Sequence, residues 1–271
     1  MVRTIGVVGL GVALLLSVVV PAGPAGAVTV TWNTCSSTCS GMTPSPVSSS
    51  GSGSSTILTF TGSGGQLLQA EAFQTHNAFS SYGVIDKTTI AIFSGGLGAG
   101  GEGSPQHAVD NIGPDEFILF VFGQDTYIPQ SFKIGYKSTD ADVVTYIGGA
   151  GAGFLTSLQS GGFDWDTFIG GGPGGFAALG FTKQTFLDVP TGVSQSFTNG
   201  AAGKYLIIGA QNETTVCTTG CPKEGGEDAF KIQQVVGELP VPEPGTLLLL
   251  TTGLVALARG ARRGRVRGDK S

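Results

Sequence analysis

Ten short runs of alternating or β-branched residues, most of them flanked by glycine-rich stretches, restrict this chain to an all-β fold. They cover residues 56–61, 66–73, 88–93, 116–122, 131–136, 143–147, 176–181, 193–197, 204–209 and 230–236. No long amphipathic helix competes with them, although Leu67, Leu68, Ala70, Ala72 and Phe73 would also satisfy a short one. The spacing predicts a single β-sandwich or jelly-roll-like domain over residues 56–240, favoured over a closed barrel. Residues 28–55 read as a cysteine-containing, Ser/Pro/Gly-rich segment, flexible over 48–55, so folding is expected to begin near Thr56.

Both ends read as addressing segments. Arg3 precedes a nearly all-apolar stretch over residues 5–20, and Ala25-Gly26-Ala27 supplies the small residues of a cleavage site. This is the pattern of a signal peptide over residues 1–27, cut after Ala27 by signal peptidase; a retained helix is the alternative. At the other end, Pro242, Glu243 and Pro244 precede fourteen mostly apolar residues, 245–258. That length makes roughly 21 Å of helix, against a hydrocarbon core of ~30 Å, a marginal span. The prolines hold the strip before it extended and accessible. Arg259, Arg262, Arg263, Arg265 and Arg267 follow, which sets the C-terminus on the cytoplasmic side and the bulk of the chain outside.

This order of parts over residues 241–267, with 268–271 as a tail, resembles the PEP-CTERM sorting signal that exosortases recognise in Gram-negative bacteria. The resemblance implies that Pro242, Glu243 and Pro244 carry recognition while Arg259, Arg262 and Arg263 hold the topology. An uncut membrane anchor is the competing reading. A second, internal likeness runs from Ser94 to Ile147. It includes Ser94-Gly-Gly-Leu-Gly98, Ser104-Pro-Gln-His-Ala-Val-Asp-Asn111, Asp115-Glu-Phe-Ile-Leu-Phe-Val-Phe122, Lys133-Ile-Gly-Tyr136 and Asp140-Ala-Asp-Val143. These are similar to the core of exosortase-dependent surface proteins of exopolysaccharide-producing bacteria. The likeness implies a secreted or surface-displayed protein of a family with no established enzymatic activity; with the tail, it points to a structural protein at the cell surface after transient anchoring in the inner membrane.

Between the two ends, seven lysines and no arginine face seventeen acids, leaving residues 28–240 at −10. Nucleic-acid binding needs a basic footprint, so that class is excluded. Cys35, Cys39, Cys217 and Cys221 form two matched pairs, read as disulfides in an exported chain, closed either locally or between the pairs.

Candidate chemistry is sparse. His76 and His107 are the only histidines; Ser104, His107 and Asp110 crowd one loop, and no Gly-x-Ser-x-Gly elbow exists to present a nucleophile. A secreted hydrolase is the least favoured reading, and Gln106, His107, Asp110 and Asn111 are expected to tie a loop down instead. Two Gly-x-Gly-x-x-Gly matches, from Gly98 and from Gly170, lack the following helix of a dinucleotide site. Among paired acids, Asp140 and Asp142 are the candidates for a structural calcium ion. Carbohydrate binding is the main alternative to a structural role. It would use exposed rings from among Trp32, Tyr82, Tyr127, Tyr136, Tyr146, Trp165 and Tyr205, with Trp165, flanked by Asp164 and Asp166, in the most surface-like context.

Overall fold

The computed structural model describes residues 27–36, 42–51, 56–75, 85–100, 107–111, 115–123, 127–138, 140–149, 153–160, 177–198, 200–210, 228–239 and 252–255. The chain divides into two units, one of residues Ala27–Pro240 and one made of Met1–Gly26 with Val241–Ser271. In the second unit only residues 252–255 are described, and they are helical. Among the described residues no helix is long and apolar enough to cross a membrane. Residues 1–26 of the signal peptide, Ala25 among them, and Pro242, Glu243, Pro244 and the arginines lie outside the described residues, whereas Ala27 is described.

The first unit is all-β. In chain order its strands are β1 (Val28–Asn33), β2 (Val47–Ser50), β3 (Ile57–Thr61), β4 (Leu67–Thr75), β5 (Ile85–Thr88), β6 (Ile90–Phe93), β7 (Gly96–Ala99) and β8 (Val109–Asp110). There follow β9 (Glu116–Phe122), β10 (Ile128–Lys137), β11 (Val143–Gly148), the helix α1 (Phe154–Gln159), β12 (Thr182–Phe186), β13 (Ser194–Ser196), β14 (Tyr205–Ala210) and β15 (Ala229–Leu239). One sheet runs β13-β10-β15-β7-β6, with β1 and β8 also pairing with β15. The other runs β12-β11-β14-β9-β4-β3-β2, with β5 pairing with β4. The strand pairs within both sheets are antiparallel.

Strand alternation builds two cores. Ile118, Phe120 and Phe122 of β9 point toward the seven-stranded sheet, where Val30, Trp32, Phe132, Ile134, Phe230 and Ile232 meet them. Phe117, Leu119 and Val121 point the other way and pack with Phe73, Tyr205 and Ile207 beneath Phe154 and Leu158 of α1 and Phe181. With both faces of β9 covered, Glu116-Phe-Ile-Leu-Phe-Val-Phe122 can be apolar at nearly every position. The run from Leu67 is a strand because its alternate residues serve both cores: Leu68, Ala70 and Ala72 one, Phe73 the other.

Three expectations are corrected. Folding does not begin at Thr56, because β1 pairs with β15 from Val28↔Leu239 to Asn33↔Gln234 and buries Trp32 completely. Val-Thr-Val-Thr-Trp-Asn alternates like any half-buried strand, and serine-rich β2, exposed throughout, is an edge that needs no apolar face. The strand placed at 176–181 lies instead at Thr182–Phe186. Residues 177–180 form a turn closed by Gly180, whose φ of 81° favours glycine. The run 88–93 breaks into β5 and β6, which pair with different sheets.

Candidate functional site

Asp140 and Asp142, singled out in the sequence, are joined in space by Asp188. The carboxylates of Asp140, Asp142 and Asp188 each offer an oxygen within 4.8 Å of the others. Asp140 and Asp142 enter β11, and Asp188 comes from the turn after β12 with a φ of 50°. Three carboxylates of this kind suit a hard, oxygen-loving cation such as calcium, which takes six to eight oxygens. The same groups also tie the chain together. Asp188 N–H donates to Asp142 Oδ1 at 2.7 Å, and Ala141 N–H donates to Asp140 Oδ1 at 2.7 Å. Beside them the buried Asp228 accepts from Asp142 N–H at 2.9 Å and from Asn111 Nδ2 at 3.2 Å, while its own N–H donates to Asn111 Oδ1 at 3.0 Å. Burial first, and then the carboxylates of Asp142 and Asp140, push Asp228 up to about 6. Asp188 and Asp228 were not coupled to this pair in the sequence, because they lie 46 and 86 residues from Asp142.

His107 is engaged in structure. Its φ is 57°, its Nδ1 lies 3.0 Å from the Gly100 carbonyl, and its ring stacks on Phe93 with centroids 5.1 Å apart. Asn111, four residues on, clasps Asp228, the residue before β15. Ser104, Gln106 and His76 lie outside the described residues. Glu116 sits against Gly100: a β-carbon on that glycine would stand 2.0 Å from Glu116 Oε1. Burial, and secondarily Asp110, push the Glu116 carboxyl up to about 9, so it is protonated at neutral pH.

On the outer face of the eight-stranded sheet, Glu71 is buried with its Oε2 3.1 Å from Lys87 Nζ and its Oε1 accepting from Gln159 Nε2 at 2.6 Å. This polar link fastens α1 over the second core.

The aromatic candidates separate sharply by burial. Trp32, Tyr127, Tyr146 and Tyr205 are core residues, while Tyr82 and Trp165 lie outside the described residues. Tyr136 remains half-buried on the outer face of the seven-stranded sheet, paired with Lys231 across β10 and β15. The Lys231 ammonium lies 4.1 Å from the Phe93 ring centroid and 5.0 Å from that of Tyr136. Phe93, Tyr136, Lys231 and His107 thus form one aromatic and cationic patch. Cys35 is buried and disulfide-bonded; Cys39, Cys217 and Cys221 lie outside the described residues.

Residues 240–263 match the family description of the PEP-CTERM protein-sorting motif. No curated protein and no solved structure matches the chain. That motif indicates export and surface sorting and implies processing by an exosortase. This chain joins such a signal to a two-sheet all-β domain.

Proposed function

We propose that this is a non-catalytic structural protein of the cell surface or extracellular matrix in an exopolysaccharide-producing Gram-negative bacterium. The sorting motif at residues 240–263 carries the reading. It is supported by the commitment of the polar side chains available for catalysis: His107 to the Gly100 carbonyl, Asn111 to Asp228, Asp142 to the Asp188 N–H. Signal peptidase removes residues 1–27. The short apolar helix then lodges in the inner membrane with its arginines inside, and Pro242-Glu243-Pro244 is offered to the exosortase outside. Replacing Glu243 with Ala, or deleting the arginines, should leave precursor in the inner-membrane fraction. Unchanged delivery of the mature form to the surface contradicts the proposal.

A second reading, carbohydrate binding, is favoured by one observation: Tyr136 is only half-buried and lies beside a cation on a sheet face. Retention of the protein on a polysaccharide column, lost when Tyr136 is replaced by Ala, is the result expected. Equal passage through every column removes this reading and leaves the structural one.

A further inference from the structure

Lys231 is an unusual cation for this domain. Acids outnumber lysines seventeen to seven over residues 28–240, yet among the described residues Lys231 has no carboxylate partner and meets only rings. Phe230 and Ile232 on either side of it point into the core, which fixes Lys231 on the opposite, outer face. There the register Tyr136↔Lys231 sets the ammonium beside the tyrosine, and Phe93 closes over it from β6. Phe93 is itself held by His107 stacked on it and by Ser36 N–H bonding its carbonyl at 3.1 Å. Lys133, three residues before Tyr136 and paired with Gln234, shares this face and is likewise without a carboxylate partner among the described residues.

A partly desolvated ammonium beside two π-faces is held in place but not neutralised. Burial lowers the Lys231 pKa, which accords with that lack of compensation. The charge selects an anion from outside. The neighbouring tyrosine selects a ligand with a flat apolar face, such as the C–H face of a sugar ring.

We propose that Tyr136, Phe93 and Lys231 bind a carboxylate-bearing polysaccharide, a polyuronate, with the uronate carboxylate on Lys231 and its ring on Tyr136. Lys133 adds attraction to the next residue of the polymer. The proposal rests on the carbohydrate-binding reading and names the class of sugar.

The test is affinity electrophoresis of the full-length chain, recovered from cells that express it, in gels containing polygalacturonate or size-matched neutral dextran. Polygalacturonate should retard the protein and dextran should not, and added salt should weaken the retardation. Lys231→Gln should weaken binding about tenfold, the scale of one charge-assisted hydrogen bond. Lys231→Arg should retain binding. Lys183→Gln, the same charge change on the exposed edge strand β12, should have no effect. Thermal melts of each variant separate misfolding from lost contact, and a folded Lys231→Gln that binds like wild type overturns the proposal. Retardation by dextran alone overturns the anionic site while leaving sugar binding intact. Retardation by neither polymer overturns both.

Discussion

Replacing Trp32 with Ala is the sharpest perturbation of the fold, because it tests whether β1 is a structural strand or a dispensable leader. The indole is fully buried between Phe122 and Tyr127, with ring centroids 5.6 Å and 5.4 Å away. Its Nε1 donates to the Gln66 carbonyl at 3.0 Å. Removing a buried Trp side chain costs about 3–5 kcal/mol, and part of that sum is the stranded carbonyl, worth ~1 kcal/mol. In a domain of this size each kcal/mol moves Tm by roughly 2–4 °C, so a drop of roughly 6–20 °C is expected. Trp32→Phe should recover much of the packing but not the bond to Gln66, and fall in between. Urea unfolding followed by circular dichroism measures both. A Trp32→Ala protein within about 1 kcal/mol of wild type would refute the assignment of β1 to the core.

Other expectations follow from single contacts. Among the described residues the buried Tyr127 hydroxyl has no hydrogen-bond partner, so Tyr127→Phe should stabilise the protein by about 1 kcal/mol in the same urea titration. A β-carbon on Gly98 would fall 1.5 Å from the His107 carbonyl oxygen, so Gly98→Ala must force β7 away from that loop. It should cost several kcal/mol or prevent folding, seen as loss of the cooperative melt. Glu116 holds its proton in the folded state up to about pH 9 but only to about 4.5 when unfolded. The folded state therefore binds more protons across that window, and stability should fall as pH rises through it, with Asp110 the acid facing the group. Glu116→Gln should flatten the decline in melts taken from pH 5 to 9.

How far the sequence could be read depended on where each strand finds its partners. Strand β9 was plain, since both of its faces are apolar and the run Phe117 to Phe122 has one conformation that buries them all. Strand β7 was not, because Gly96-Leu-Gly-Ala99 has the composition of a turn. Its glycines are there for backbone contact, Gly96 against Ile232 and Gly98 against His107, and such contact leaves no hydrophobic period. Strand β1 was hidden by the Ser/Pro-rich stretch that follows it. At the candidate sites, Asp140-x-Asp142 was visible as a local spacing, whereas Asp188 and Asp228 join it through loop closure. The patch of Phe93, Tyr136 and Lys231 depends on irregularities in the β10–β15 register between Lys133 and Tyr136, which re-aim the side chains beyond them. The sorting motif was legible throughout, because it is read by an enzyme as a linear order of parts.

Intact-mass spectrometry of the protein taken from the cell surface tests the central claim most directly. A chain that begins at Val28 and has lost Arg259 to Arg267 is the predicted result. Recovery of the complete polypeptide from that surface material, arginines included, would contradict it.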